Sequence, residues 1–154
     1  EIDKIANRFK CPTPKLYISD NPSFFNAAYV RGSRFPIGGS NGIIVISSHL
    51  IEWVGRSNLE AVFAHEFGHL VQDDGMHTYR AFLHKTRSFG EESTVDRLAA
   101  SRIGYRPVKR LLRVFIKNFK SLDAGRGSVA GLAAFEVTQR FDALNKLEQK
   151  NERH

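Results

Sequence analysis

The sequence predicts an α+β domain, in which a small three-stranded sheet with a hairpin is followed by a helical remainder. Strand-like segments, including the β-branched run Ile-Ile-Val-Ile at residues 43–46, are confined to the first third of the chain. After Ser48, apolar residues recur at helical spacing instead. A length of 154 residues is that of one ordinary domain, so residues 1–154 are expected to form a single domain.

The first part of the chain is predicted to contain one short helix and three strands. Residues 2–9 carry apolar side chains at helical spacing, and Pro12 and Pro14 end this helix. Three strand-like segments follow, at residues 15–19, 26–31 and 42–47. Residues 32–42 contain four glycines, which is typical of a long hairpin connection between the second and third strands.

The remainder of the chain is predicted to contain four helices. Ser57 with Glu60 three residues later forms a capping box, which predicts a helix to about residue 73. Ser88 and Glu91 repeat this pattern and predict a second helix to about residue 103. Pro107 suits the first turn of a third helix. After a loop at residues 123–128, a final helix carries an apolar stripe formed by Ala133, Val137, Phe141 and Leu144.

Composition excludes several classes of protein. With 42% hydrophobic and 25% charged residues and no internal repeat, the chain is neither disordered nor a solenoid. A single cysteine, Cys11, excludes a disulfide framework and a cysteine-rich zinc module. No apolar run reaches the roughly 20 residues of a membrane-spanning helix, and no signal peptide is visible. Because the chain begins at Glu1, we expect a fragment or a processed form, and the localisation stays open.

The segment His65-Glu66-Phe67-Gly68-His69 carries the clearest chemical signal. On a helix, residues i and i+4 lie on one face, so both imidazoles can reach a single metal ion. Two imidazoles and a carboxylate suit zinc and leave its fourth position for a water molecule. Glu66 could accept the proton of a zinc-activated water and pass it to a leaving amine. The motif therefore predicts hydrolysis of a peptide bond, although it does not by itself specify the bond that is cleaved.

A third metal ligand is needed, and the sequence offers several candidates. The zinc-protease pattern with a third histidine six residues after the second does not occur here. His77 and His84 remain possible ligands. Glu92 is favoured, because a carboxylate at the start of the next helix would complete a His–His–Glu site. Asp96, one turn later on the same face, could accept the other ring N–H of a ligating histidine and so support it.

Several segments together carry a family resemblance: Asn26-Ala27, the strand at residues 42–47, the motif at 65–69, Asp74, and Glu-Ser-Thr-Val-Asp-Arg-Leu-Ala-Ala at 92–100. Over residues 2–102 the chain resembles the HtpX and CAAX prenyl endopeptidase family, which are zinc metallopeptidases of the gluzincin type with HExxH and a downstream ExxxD. The resemblance implies a zincin-like fold with HExxH on a central helix. It also implies one Zn²⁺ per chain, held by His65, His69 and Glu92, with Glu66 as catalytic base and Asp96 supporting a zinc histidine.

The same resemblance implies an endopeptidase that acts on protein or peptide substrates. The strand at residues 43–47 would line the cleft and pair with an extended substrate. Association with a membrane or the cell envelope would also follow by analogy with the family.

Two departures from the family pattern affect this interpretation. Only 22 residues separate His69 from Glu92, where family members commonly carry longer insertions, so a compact version is implied. Phe135-Glu136 stand where a His-Pro often precedes an arginine near the C-terminus. Arg140 matches that arginine, and two interpretations are open: it binds the substrate or the oxyanion, or it is a solvent-facing helix residue.

The chain is basic, with a net charge of +7, and its cations are concentrated at residues 106–120. This basic amphipathic helix could contact an anionic membrane surface, although a solvated face of a core helix is the commoner case. Nucleic acid is disfavoured, since no aromatic residues are interleaved for base stacking. The alternative to an enzyme is therefore a zinc-containing, non-catalytic regulatory or interaction module with a basic amphipathic helix.

Overall fold

A computed structural model describes residues 1–21, 27–30, 42–72, 89–122 and 128–153. Three strands form one sheet in the order β1-β3-β2. Their bounds are Lys15–Ser19 for β1, Ala27–Val30 for β2 and Ile43–Ser47 for β3. The central strand β3 is parallel to β1, with Lys15 opposite Ile43, and antiparallel to β2, with Ala27 opposite Ile46. The predicted hairpin connection at residues 32–42 lies almost entirely outside the described residues.

Within the described ranges, six helices accompany the sheet, as expected of an α+β domain. Their bounds are Ile2–Phe9 (α1), Ser48–Val54 (α2), Leu59–Gln72 (α3), Phe89–Ile103 (α4), Tyr105–Leu122 (α5) and Val129–Asn151 (α6). The final helix begins at an N-cap, Ser128, whose hydroxyl accepts a hydrogen bond from the backbone N–H of Gly131. None of the described helices combines the length and the apolar character needed to cross a membrane.

Helix α2 was absent from the sequence-based prediction, which placed the first helix after the sheet at residue 57. Ser47 ends β3 and also caps α2, because its hydroxyl accepts a hydrogen bond from the Leu50 N–H. A 3-10 turn, Arg56–Asn58, then leads into α3, so Ser57 lies inside that turn. The carboxylate of Glu60, the other member of the expected capping box, binds Arg8 of α1 at 2.9 Å.

The hydrophobic core joins the sheet to the helices on both sides of α3. Phe67 of α3 is fully buried and contacts the ring of Phe9 in α1, at a centroid distance of 5.6 Å. On the sheet, Ile44 and Ile46 of the central strand are likewise buried. Helices α5 and α6 form the most extensive helix–helix interface among the described elements, and Leu144 is buried within the core. Helix α3 thus packs against α1, β2, α4 and α5, and α6 packs on α4 and α5.

Candidate metal centre

The two histidines of the motif lie side by side on α3. Their Nε2 atoms are 3.1 Å apart, and their rings meet edge to face at a centroid distance of 4.7 Å. The opposite side of the helix is anchored by two buried aromatic residues, Phe63 and Phe67. Because that apolar side packs in the core, the two imidazoles are directed to one side of the helix.

Glu92 reaches the histidines from the first turn of α4. Its Oε2 lies 3.1 Å from His65 Nε2, and its Oε1 lies 3.6 Å from His69 Nε2. The ligand atoms of His65, His69 and Glu92 lie within 4.8 Å of one another. Ligand atoms about 2.0–2.1 Å from a tetrahedral zinc ion are separated by about 3.3 Å, so the three donors fit such an ion. The other candidates from the sequence, His77 and His84, and the family-matched Asp74 lie outside the described residues.

A glycine in the motif allows the two helices to approach closely. A Cβ atom on Gly68 would lie 2.7 Å from Val95 Cγ1 and 3.3 Å from the Val95 carbonyl oxygen. Val95 is fully buried on α4, one turn from Glu92, so α3 and α4 touch at this point through the bare backbone of Gly68. The close contact therefore sets the distance at which Glu92 meets the histidines.

Asp96 contacts the ring nitrogen of His65 that faces away from His69 and Glu92. Its Oδ1 lies 2.9 Å from His65 Nδ1, and its side chain is almost completely buried. A carboxylate that accepts the Nδ1–H proton fixes the tautomer that leaves a lone pair on Nε2. The structure thus brings Asp96 to the position expected of a residue that supports a histidine ligand.

Arg140 of α6 completes the cluster and is not a solvent-facing residue. Its side chain is only 11% exposed, its Nε and Nη2 donate to the two carboxylate oxygens of Asp96 at 2.7 and 2.9 Å, and its Nη1 lies 3.5 Å from Glu92 Oε2. Arg140 follows Val137 by three residues and precedes Leu144 by four, which places it beside the apolar stripe, but this spacing alone does not distinguish a buried residue from one at the edge of the solvent face. Of the two interpretations left open by the sequence, the solvent-facing one is wrong, because the arginine ties α6 to both carboxylates.

The charges in this cluster shift one another's protonation in the metal-free chain. Burial lowers the pKa of His65, but the hydrogen bonds to Asp96 and Glu92 outweigh it and raise that pKa to about 9. Burial raises the pKa of Glu92, but its bond to His65 prevails and lowers that pKa to about 2. The pKa of Asp96 also falls to about 2, because its bonds to His65 and Arg140 outweigh its burial. Both carboxylates are thus held as anions, as metal binding requires.

A cavity of about 280 Å³ opens beside the cluster. His65, Glu66 and Glu92 contribute to one part of its lining, and side chains from α2, α5 and α6 form much of the rest. Glu66 is buried, with 6% of its surface exposed, and is placed where a molecule in the cavity could reach it. Three of the four predicted motif and ligand residues therefore line one cavity, and the fourth, His69, lies beside His65.

The strand that borders this cavity is β2 rather than β3. Ala27 of β2 lines the cavity, and β2 packs against α3. β3 has β1 on one side and β2 on the other, so both of its edges are already hydrogen-bonded. The expectation that residues 43–47 pair with a substrate is therefore wrong, because a central strand has no free backbone groups to offer.

Comparison with known proteins gives one family and several relatives. The family model of peptidase family M48 matches residues 1–117. A protease HtpX homolog from Dictyoglomus turgidum is 36% identical over 63 residues, which is 41% of this chain and 19% of that protein. A protease HtpX homolog from Helicobacter pylori is 39% identical over 61 residues, 40% of this chain and 18% of that protein.

A further relative, protease HtpX homolog 1 from Sulfolobus acidocaldarius, is 33% identical over 76 residues, 47% of this chain and 22% of that protein. The chain thus spans about a fifth of the length of the curated relatives it matches. No solved structure matches the chain. The family match ends before α6, so Arg140 lies outside the matched region.

Proposed function

The chain belongs to peptidase family M48, and from this premise we propose that it is a zinc-dependent endopeptidase of the gluzincin type. Its substrates would be proteins or peptides. The observation that carries the proposal is the convergence of His65, His69 and Glu92 beside the buried carboxylate of Glu66, at the edge of a cavity. A purely structural zinc site would have no use for Glu66.

One zinc ion per chain would be held by His65, His69 and Glu92. The donor set of two imidazole nitrogens and one carboxylate is typical of catalytic zinc, which keeps a fourth position open. When bound there, zinc would lower the pKa of a water molecule and polarise the scissile carbonyl. The spacings of 3.1, 3.1 and 3.6 Å between the donor atoms support this choice of metal.

Glu66 would act as the general base and then as the general acid. Its carboxylate would accept a proton from the attacking water and deliver it to the nitrogen of the leaving amine. Its side chain is buried and lines the cavity beside His65 and Glu92, which is where a general base would have to lie. Replacing it with glutamine would keep the shape of the site and remove the proton acceptor.

Asp96 and Arg140 would act as positioning residues. Asp96 would accept the Nδ1–H of His65 and so keep Nε2 available as a ligand atom. Arg140, through its two hydrogen bonds to Asp96, would hold that carboxylate as an anion in the correct orientation. Neither residue needs to touch the substrate for this function.

An extended substrate would pair with β2. In the described sheet this strand stands at the end of the order β1-β3-β2, and it borders the cavity through Ala27. Addition of a substrate strand at such an edge supplies backbone hydrogen bonds that are independent of the substrate's sequence. The peptide would then run past Glu66 with its side chains directed alternately toward and away from the cavity.

Metal content and proteolysis of matched variants test the proposal. The wild-type chain should hold close to one zinc ion per molecule by mass spectrometry and should cleave casein. Glu92→Ala should lose both properties, while Glu66→Gln should retain zinc and lose cleavage. Glu91→Ala changes the exposed neighbouring acid and serves as the control, which should keep both.

Two outcomes would contradict the proposal. Absence of zinc after reconstitution would exclude the metal site. Stoichiometric zinc without cleavage of any substrate would favour the non-catalytic zinc module instead.

A further inference from the structure

The cavity beside the metal centre has an aromatic wall. Trp53 of α2 and Phe115 and Phe119 of α5 line it, and Val62 and Leu111 add aliphatic surface. Ring centroids of Trp53 and Phe119 are 5.0 Å apart with the rings near edge-to-face, and those of Trp53 and Phe115 are 5.4 Å apart. Such contacts between aromatic rings are individually favourable, so the three rings support one another as a unit.

The wall is also held in place by a hydrogen bond between its two helices. Asn118 Nδ2, on α5 between the two phenylalanines, donates to the backbone carbonyl of Trp53 at 3.0 Å. This bond ties α2 to α5 at the level of the rings. The cavity is therefore a pre-formed space rather than one that must open for a ligand.

The polar part of the lining is unsuited to an acidic side chain. Among the described residues that line the cavity, Arg140 and, in the absence of metal, His65 are cationic, and both are already bound to Asp96 and Glu92. An acidic side chain would thus face the carboxylates of Glu66 and Glu136 without a free cation to meet it. A lysine side chain would lose its hydration against the aromatic wall.

From these contacts we propose that the cavity is a specificity pocket for one large apolar side chain, phenylalanine or leucine, next to the scissile bond of the substrate. The inference rests on the proposed peptidase function. A dry apolar cavity of about 150 Å³ is large enough to hold benzene, so a volume of about 280 Å³ accommodates such a side chain with room for its stem. Its walls would exclude water from the side chain, and Glu66 is among its lining residues.

Ala133 of α6 gives a way to narrow the pocket without touching the metal ligands. It lines the cavity from the wall formed by α6, and a leucine there would occupy part of the volume. Ala130, on the same helix, does not line the cavity, so Ala130→Leu is a matched control with the same change of side chain.

The test uses zinc-loaded protein and a set of peptides that differ at the two residues flanking the cleaved bond, with alanine, leucine, phenylalanine, aspartate or lysine at each. At one flanking position, kcat/KM should be at least about tenfold higher for phenylalanine or leucine than for alanine, and lowest for aspartate. Ala133→Leu should lower the phenylalanine-to-alanine ratio at least about fivefold. Ala130→Leu should keep the wild-type ratio. Thermal unfolding of each variant checks that it is folded.

A measurement of peptide binding distinguishes failure of the proposed pocket from failure of the proposed peptidase activity. Glu66→Gln, titrated with the same peptides by calorimetry, should bind the phenylalanine peptide more tightly than the alanine peptide. That binding preference without cleavage by the wild-type protein would support the pocket and contradict the peptidase. Cleavage or binding that is equal for all side chains, or strongest for a charged one, would overturn the pocket. A preference that Ala133→Leu leaves unchanged would overturn it too.

Discussion

At the scale of single residues, Gly68 lies inside the histidine motif but is required by helix packing rather than by metal binding. The motif itself requires only the two histidines and the glutamate. The absence of a side chain at Gly68 is instead required by Val95, which lies against it on α4. Helix propensity alone would favour alanine over glycine by about 1 kcal/mol, so the close approach of the helices outweighs a local preference.

We predict that Gly68→Ala destabilises the protein and weakens zinc binding. The added Cβ would lie 2.7 Å from Val95 Cγ1, and overpacking of this kind costs about 1–3 kcal/mol. Urea denaturation and zinc titration measure the two effects. In a double-mutant cycle, Val95→Ala should partly rescue Gly68→Ala, because it removes the clashing methyl group. Higher stability of the single alanine variant would show that the helices are not held together at this contact.

In the absence of metal, the protonation of His65 makes the stability of the fold depend on pH. Its pKa in the folded chain, about 9, exceeds its usual value of 6.5. The folded chain therefore binds a proton more tightly than the unfolded chain, which stabilises the fold fully below pH 6.5. That contribution is lost as the pH rises through about 9. The pKa of Glu92 is lowered from 4.5 to about 2, so this residue stabilises the fold fully above pH 4.5. That stabilisation is lost as the pH falls through about 2.

We accordingly predict that the free energy of unfolding of the metal-free protein decreases between pH 6.5 and pH 9. Denaturation in the presence of a chelator measures it. Asp96→Asn should flatten this dependence, because the anion that holds the proton on His65 is gone. Saturating zinc should flatten it as well, since the metal replaces the proton at Nε2. A metal-free wild-type protein that is equally stable at both pH values would contradict the role given to His65.

At the scale of elements, α6 supports the metal centre although it supplies no ligand. It contributes Arg140 to the charge cluster and Val137 to the wall of the cavity. Leu144, farther along the helix, is 1% exposed and anchors α6 in the core, whereas Leu132 on the same helix is 64% exposed. The same residue type thus occurs on the buried and on the exposed side of one helix.

These two leucines give a matched prediction for α6. Leu144→Ala should lower the free energy of unfolding by about 2–5 kcal/mol, because it removes buried methyl groups and leaves a cavity. Leu132→Ala should change it by less than about 0.5 kcal/mol. Both values come from chemical denaturation of the zinc-loaded protein. Equal effects of the two substitutions would mean that α6 does not pack as described.

The basic helix predicted over residues 106–120 is α5, and several of its cations have partners within the chain. Lys109 forms an ion pair with Glu148 of α6. Arg110 donates to Asn58 Oδ1 at 3.0 Å and to the Ser57 carbonyl at 2.7 Å, and Arg113 lies over the ring of Phe141. These contacts favour a structural role for this part of the helix. Contact of α5 with a membrane surface stays a prediction.

At the scale of the whole molecule, the proposed metal site would join two consecutive helices, whose ligands His69 and Glu92 are separated by 22 residues. His65 and His69 come from α3 and Glu92 from α4, and α6 fixes the second of these helices through Arg140. A metal bound across them stabilises the folded state, because the unfolded chain does not present these ligands together. The metal should therefore act on the stability of the whole chain as well as on its chemistry.

We predict that zinc raises the free energy of unfolding by about 2.7 kcal/mol when its free concentration is 100 times its Kd. For a chain of this size the midpoint of thermal unfolding should rise by about 5–10 °C. Glu92→Ala should abolish the rise, and Glu91→Ala should keep it. Calorimetry with and without a chelator measures it, and an equal midpoint in both conditions would argue against a metal held by α3 and α4.

Much of the fold was predictable because its elements have local causes. Periodicity and prolines place α1, the β-branched run places β3, and apolar stripes place α5 and α6 close to their observed bounds. Helix α2 escaped prediction, because its seven residues are too few for a periodic pattern and its cap, Ser47, reads equally well as the end of a strand. The order of the strands also escaped prediction, since pairing depends on contacts between segments far apart in the chain.

For the site, the sequence by itself determined His65, Glu66 and His69, because the helical repeat places residues four apart on one face whatever the rest of the chain does. Only the tertiary structure decided which carboxylate meets them and that Arg140 is buried. It also decided that β2 rather than β3 borders the cavity. These features depend on the contact of Gly68 with Val95, on the ion pair between Arg140 of α6 and Asp96 of α4, and on the order of the strands. All three arise between segments far apart in the chain, so no local sequence pattern encodes them.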